Sequence, residues 1–453
     1  MEFLKKRILV AGLGRSGLSA ARWLIKEGAD VTIGDIRPEK ELERRLYNEA
    51  VRLGARIETG RHSIETFVSQ DMIIVSPGVP LEIAPLKAAE ERGIPIIGEM
   101  ELAGRLFDTP VVAVTGTNGK STAVTLLELM IRGSGAKLFV GGNIGTPLMD
   151  YVAGDQSADY VLVEVSSFQL DTMEKFCPVV SLLLNITPDH LDRYPDYEDY
   201  VQSKLRIFQN QGAGHYAILN DDDERLARFR PRGEVTVLRY GMEERGGRNA
   251  FMYGNRMIAR LPGKRDYHFD IEGFGLPGRH NLENLMGVIL AGLALGLRPD
   301  VIWDSIKGYK GLPHRIELAG SVRGIDFYDD SKATNVDAAV RSVESFDRPL
   351  ILIAGGRHKG GDYSPLVRAA KGKVKKAILM GEARYLIAGS FEGIIPFEFA
   401  DGMGEAVSRA FAEAKANDVI LLAPACSSFD MFSDYAHRGR VFREEVKGLD
   451  NVH

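Results

Sequence analysis

Short apolar runs recur along the chain. Most are followed by a glycine-rich or small polar turn and then by apolar positions at helical spacing. Residues 7–11 (RILVA) predict a buried strand and 12–17 (GLGRSG) a glycine turn. Leu18, Ala21, Leu24 and Ile25 mark the buried stripe of a helix. A second strand at 30–34 closes on Asp35, which completes a βαβ opening. The run 71–75 predicts another strand and ends in Ser76-Pro77-Gly78. A helix over 83–92 and a strand over 94–97 bring the first unit to a close near residue 98.

The pattern then restarts. Val111–Val114 predicts a strand, 115–122 a turn, and 121 to about 132 a helix, with further strands at 138–140, 160–165 and 179–184. The glycine- and arginine-rich stretch 241–275 alternates weakly and predicts an antiparallel appendage. Leu285–Leu297 is a charge-free apolar stretch of thirteen residues, short of the ~18 a membrane span needs, so it predicts a buried core helix. Gly311-Leu312-Pro313 breaks the chain, and strands at 325–328, 350–354, 377–380 and 418–422 predict a third unit. Strands alternating with helices imply an α/β protein with parallel sheets in three domains, 1–98, 99–311 and 312–453.

Length and composition agree with this division. The 453 residues suit about three domains at ~150 residues each. A hydrophobic fraction of 45% is ample for packed cores, which excludes disorder as the main state. The net charge of −5 excludes a whole-protein basic field, so no nucleic-acid partner is expected. Two cysteines, Cys177 and Cys426, make neither a disulfide framework nor a cysteine zinc site. With no secretory signal at the N-terminus and no membrane insertion, a cytoplasmic location is expected.

The sharpest chemical signal is Gly116-Thr117-Asn118-Gly119-Lys120-Ser121-Thr122 between a strand and a helix. Glycines let backbone N–H groups turn toward phosphate oxygens, and the helix N-terminus adds positive potential. Lys120 would reach the β- and γ-phosphates, and the Ser121 hydroxyl would sit on Mg²⁺. Val114 stands where the common pattern has its first glycine, so the loop is a variant. Gly12-x-Gly14-x-x-Gly17 with Asp35 further on fits a dinucleotide, equally any nucleotide diphosphate, and also a turn that needs glycine for packing alone. Glu164 ends a strand on the rim where carboxylates hold a nucleotide's Mg²⁺, and Asn185–Arg193 places His190 between Asp189 and Asp192 on the next rim. Lys204, taken alone, is a solvated helix lysine. Leu312-Pro-His314-Arg315 places an arginine at a hinge, where domain closure would bring it to a phosphate. Asp329–Asn335, Gly355–Gly361 and Pro424–Phe429 each follow a strand and form polar, small-residue rims suited to a carboxylate-rich substrate.

Taken together these strings resemble the ATP-dependent Mur ligases, over essentially the whole chain. TGTNGKST is shared with folylpolyglutamate synthase, whereas LPHR followed by DDSKATN resembles the D-glutamate-adding branch. The resemblance implies a Rossmann-like first domain, a central P-loop ATPase-like α/β domain and a Rossmann-like third domain. It implies that UDP-N-acetylmuramoyl-L-alanine is held by Gly14, Arg15 and Ser16, by Asp35, Ile36 and Arg37, and by Ser76, Gly78, Asn143, Ser166 and His190. ATP would lie on the 116–122 loop with Asn281 and Asn284 beside the adenine and Arg315 and Asp330 from the third domain. Two Mg²⁺ ions are implied, Ser121 and Glu164 on one, His190 and a carbamylated Lys204 on the other. Lys332, Thr334, Lys359 and Ser428 would hold D-glutamate. The implied reaction is amide-bond formation through an acyl phosphate in cytoplasmic peptidoglycan precursor synthesis, by a monomer. Three rivals fit less of the chain. A dinucleotide-dependent oxidoreductase leaves the lysine loop and Glu164 idle, a non-catalytic nucleotide sensor keeps the loop but releases no phosphate, and a folate-type glutamate ligase lacks the LPHR and DSKATN strings.

Overall fold

A computed structural model of the chain describes residues 2–276 and 278–450. The last three positions of the third expected domain, 451–453, lie outside the described residues. The chain forms three sheets in succession. The first is five-stranded and parallel, in the order Arg56–Thr59, Asp30–Asp35, Arg7–Ala11, Met72–Val75, Ile96–Gly98. The second has nine strands, and its centre runs Val180–Leu183, Val111–Thr115, Tyr160–Glu164, Leu138–Gly142. The third has six, with Val419–Leu422 between Ile325–Asp329 and Leu350–Gly355.

This order positions the sites. In each sheet one strand is flanked by neighbours whose connections leave in opposite directions, and a crevice opens at its carboxyl end. The first crevice falls between the Gly12 turn and Ser76. The second lies at the Gly116 loop, between Glu164 and Asn185. The third lies at Pro424–Phe429, between the Asp330 and Arg357 loops.

The apolar stretch near residue 290 is the helix Arg279–Ala294, buried from Asn284 to Leu293. It packs on the helix Lys120–Gly133 and on the central sheet in one continuous core. The 241–275 stretch supplies three strands, Ala250–Tyr253, Arg256–Ala259 and Tyr267–Asp270. Their two pairings are antiparallel, and Ala250 joins them to the main sheet at Tyr240. The antiparallel appendage expected of 241–275 is therefore present, and the expectation of parallel sheets fails at one other edge, Glu317–Val322, which runs antiparallel to Ile325–Asp329. Edge strands of this kind carry a weak hydrophobic signal because one side faces water. Arg56–Thr59 and Phe397–Phe399 are short edge strands and escaped the pattern for the same reason. Among the described residues no helix is long and apolar enough to cross a membrane, and both cysteines are free.

Candidate active site

The central loop starts from a fully buried strand, and Gly119 has φ of +85°. A Cβ there would lie 2.6 Å from Asn284 Oδ1, so only glycine lets the loop meet the Arg279–Ala294 helix. Lys120 Nζ donates to the carbonyls of Gly116 and Thr117 at 2.7 and 2.9 Å. Thr117 Oγ1 lies 3.1 Å from the Tyr200 hydroxyl, and Asn118 N donates to Asn185 Oδ1 at 2.9 Å. Glu164 is 2% exposed. Its side-chain partners among the described residues are neutral, the Ser121 hydroxyl at 2.8 Å and the Asn143 amide at 2.9 Å. A buried carboxylate that forms no salt bridge among the described residues is a donor set that fits a divalent ion.

Lys204 is the clearest departure from its residue-level reading. It is not solvated but 2% exposed. Its Nζ donates to Gly116 O at 3.0 Å and lies 4.7 Å from the Tyr200 ring centre. Burial, helped by the neighbouring Lys120 charge, pulls its ammonium well below the usual lysine range. A lysine amine in its neutral form can add to carbon dioxide with release of a proton, and the carbamate formed is an anionic oxygen donor. Lys120 is lowered as well, again chiefly by burial.

His190 sits at φ +57°, packed edge-on against Phe168 with ring centres 4.9 Å apart. Burial drops its pKa to about 4, so the ring is a neutral base able to ligate a metal. Burial pushes Asp189 upward, but Lys359, His190 and Asn335 outweigh it and hold its carboxyl below the usual range. Lys359 and Asn335 come from the third sheet's rims. Lys359 Nζ lies 3.4 Å from Asp189 Oδ1, Asn335 Nδ2 donates to Asp189 Oδ2 at 2.9 Å, and Asn118 Nδ2 donates to Asp337 at 2.7 Å. The central and third units are thus closed on one another.

Between them lies a cavity of about 350 Å³ lined by Gly119, Asn281, Asn284, Arg315, Asp330 and Lys332, among others. Arg315 stands between two non-glycine residues of positive φ, His314 at +63° and Ile316 at +46°. Such conformations cost about 1–3 kcal/mol each and persist only where surroundings impose them. Asp330 accepts from Ser342, and burial raises its carboxyl to about 6. Lys332 rests on the Tyr435 ring with Nζ 3.9 Å from its centre, and burial, with Arg315 nearby, lowers it to about 8. Thr334 is half-buried on the same loop and Ser428 is buried on the neighbouring rim. Tyr435 and the buried Arg438, which donates to the carbonyls of Ser331 and Cys426, were missed by sequence reasoning. Their only signal was an aromatic and an arginine in the DYAHRGR segment.

In the first crevice Asp35 is spent on structure. Its Oδ2 accepts from Leu13 N at 2.8 Å and from Arg37 Nη2 at 2.7 Å, and its Oδ1 from Arg37 Nε at 2.9 Å. The carboxylate braces Arg37 at the mouth of the Gly14-Arg15-Ser16 helix start, while Ile36 stands 63% exposed beside it. Ser76 donates to Gly12 O at 3.0 Å, and Arg193 Nη1 reaches Gly78 O at 3.4 Å from the central unit. Ser166 is occupied as the N-cap of Ser167–Leu170 in a reciprocal capping box with Gln169.

A three-sheet chain with a lysine phosphate loop facing a third unit across a closed cleft is the architecture of an ATP-dependent ligase. Family models match along its length: Mur ligase MurD-like N-terminal domain at 6–98, Mur ligase middle domain at 114–292 and Mur ligase glutamate ligase domain at 314–426. The chain belongs to the Mur ligase family, whose members depend on ATP. A relative from Geotalea daltonii, named UDP-N-acetylmuramoylalanine–D-glutamate ligase, is 42% identical over 449 residues, 99% of each chain. One of the same name from Desulfosudis oleivorans is 43% identical, covering 99% of this chain and 98% of its own. Among solved structures, a pseudomurein peptide ligase type C from Methanothermus fervidus aligns with a TM-score of 0.61 at 20% identity, over 98% of this chain and all of that one. MurF ligase from Thermotoga maritima in complex with ADP aligns at 0.59 and 18%, over 98% and 96%. At these identities the structures bear on the fold alone.

Proposed function

We propose that this chain joins D-glutamate to UDP-N-acetylmuramoyl-L-alanine at the expense of ATP, through an acyl phosphate, as a cytoplasmic monomer in peptidoglycan precursor synthesis. Its functional domains would be 1–98, 99–311 and 312–453. The observation that carries the reading is the reach of Lys359 to Asp189, beside His190, at 3.4 Å. It puts the third unit's ammonium-bearing rims and the central unit's phosphate loop on one cleft. The relatives' shared name supplies the substrates.

In this reading an alanyl carboxylate oxygen attacks the γ-phosphorus, the bond to the bridging oxygen breaks, and ADP leaves. The D-glutamate nitrogen then attacks the acyl carbon, and the tetrahedral intermediate expels phosphate as the amide forms. Both steps gather negative charge, so the protein's part is orientation and electrostatic stabilisation. Lys120 turns from the loop carbonyls to the phosphates. Arg315 and Asp330 hold the nucleotide from the third unit, with Asn281 and Asn284 on the adenine side. Lys332, Lys359, Thr334 and Ser428 hold the carboxylates of the incoming amino acid and aim its amine. Arg37, with the Gly14-Arg15-Ser16 helix start, holds the diphosphate, Ile36 offers the uracil an apolar face, and Ser76, Gly78, Asn143 and Ser166 line the path to His190.

Ser121 and Glu164 would hold one Mg²⁺, and His190 with carbamylated Lys204 a second. When bound, these ions supply positive charge at the phosphate and carboxylate oxygens. The test is isotopic. With ¹⁸O in the substrate carboxylate, one labelled oxygen should appear in each phosphate released, and only D-glutamate in a panel of D- and L-amino acids should drive release. Unlabelled phosphate during turnover would overturn the acyl phosphate.

A further inference from the structure

The hinge arginine is held from an unexpected direction. His314, Glu317 and Asp329 present ligand atoms within 4.8 Å of one another, a set that suits a cation. The cation seated there is the guanidinium of Arg443, eight residues into the C-terminal helix Tyr435–Asp450. Its Nη1 donates to Glu317 Oε1 at 2.7 Å, and its Nε lies 3.5 Å from Asp329 Oδ2. Glu317 in turn accepts the backbone N–H of His314 at 2.7 Å, and His314 Nδ1 lies 2.6 Å from Asp329 Oδ2. The same helix closes on the ring itself. A Cβ on Gly439 would stand 2.2 Å from His314 Nδ1 and 2.5 Å from Asp329 Oδ2. Both ends of the 314–317 turn are thus tied to one helix, and Arg315 lies between two positive-φ residues of that turn.

We propose that Arg443 is a positioning residue for Arg315. By pairing with Glu317 and Asp329 it holds His314 in its left-handed conformation and so aims the guanidinium that meets the nucleotide. This rests on the assignment of Arg315 to ATP. A charge at this place makes physical sense. Glu317 and Asp329 both need a partner, and a planar fork meets two carboxylates from one side chain in a fixed geometry, whereas a lysine offers a point charge on a flexible stem. The helix also begins at Tyr435, whose ring carries Lys332, and Lys332 N donates to His314 O at 3.2 Å. One helix therefore touches both the amino-acid rim and the nucleotide rim.

The experiment is a double-mutant cycle on the full chain, reading the affinity of a non-hydrolysable ATP analogue with Mg²⁺ by calorimetry. Arg315→Ala should weaken binding ~tenfold, as loss of a charge-assisted hydrogen bond does. Arg443→Met should weaken it by a similar or smaller factor, Arg443→Lys should recover part of the loss, and Arg315→Ala/Arg443→Met should match Arg315→Ala alone. The KM for D-glutamate should rise by less than the ATP-analogue affinity falls in Arg443→Met, since Lys332 meets His314 only through its backbone N–H while its ammonium stays on the Tyr435 ring. Gly439→Ala, which drives a methyl group into the His314 ring, gives a second route to the same phenotype if Arg443→Met folds poorly. Multiplying factors in the double variant, or an equal rise in the D-glutamate KM, would overturn the proposal. So would wild-type affinity in Arg443→Met and Gly439→Ala alongside a weakened Arg315→Ala. Wild-type affinity in Arg315→Ala itself would instead remove the assignment of Arg315 to ATP.

Discussion

Two glycine turns in this chain do the same thing to the backbone and are surrounded by opposite chemistry. Each follows a buried parallel strand, opens a helix and offers that helix's N-terminus to an anion. Beside the Gly12 turn the buried carboxylate has paired off. Asp35 takes both Arg37 and the Leu13 N–H, and its carboxyl is held below the usual range because those bonds outweigh the cost of burial. Around the Gly116 loop Glu164, Lys120 and Lys204 form no salt bridge among the described residues. Glu164 bonds to a hydroxyl and an amide, and Lys120 and Lys204 bond to carbonyls. Under the proposed function the first turn holds a charged ligand and the second meets charge that changes during a reaction. An anion-binding turn is generic, and reactivity comes from ionisable groups buried beside it without an ion partner.

The comparison breaks most visibly at Lys204. Lys204→Ala should lower kcat by ~10²–10³-fold, the range for removing a group that stabilises developing charge. Short-chain carboxylic acids should restore part of the phosphate release. Undiminished turnover by the wild-type chain in buffers free of carbon dioxide and carboxylates would rule out the carbamate. A smaller effect of a different kind is expected at the first turn. Arg37→Met should raise the KM for the UDP substrate ~tenfold with kcat unchanged, because a binding contact made equally in ground and transition states is lost. A matching fall in kcat would show that the two turns are not divided in this way.

The third effect belongs to the rim that faces the central loop. Burial places Lys332 at about 8, and its ammonium is the form that attracts a carboxylate. Charge is therefore present below that pH and lost above it, and kcat/KM for D-glutamate should fall about fivefold between pH 8 and 9. Lys332→Arg keeps its charge throughout, so the fall should move to higher pH. An unchanged profile in that variant would assign the titration elsewhere.

The two turns also differ in how much of each was readable along the chain. The Gly116 loop, Glu164 and His190 all sit at the carboxyl ends of strongly apolar strands, so their rim positions followed from the pattern. The Asp35–Arg37 pair is two residues apart and its proximity was legible, though its occupation of both carboxylate oxygens was not. Lys204 was opaque. Its helix, Tyr197–Leu205, has an unremarkable mixture of polar residues, and only packing against the Gly116 loop reveals the lysine as fully buried. Tyr435, Arg438, Gly439 and Arg443 lie about a hundred residues from the segments they support, in a helix whose sequence reads as an ordinary charged surface.

The linear order of residues by itself determined three α/β units and the glycine loops that open their helices, because strand and helix periodicity and glycine turns are local properties of a few neighbouring residues. Tertiary structure alone decided which ammonium lost its water, which carboxylate went without a cation and how the hinge arginine is held. Desolvation and ion pairing depend on what else fills the surrounding space, and that space is shared by residues far apart along the chain.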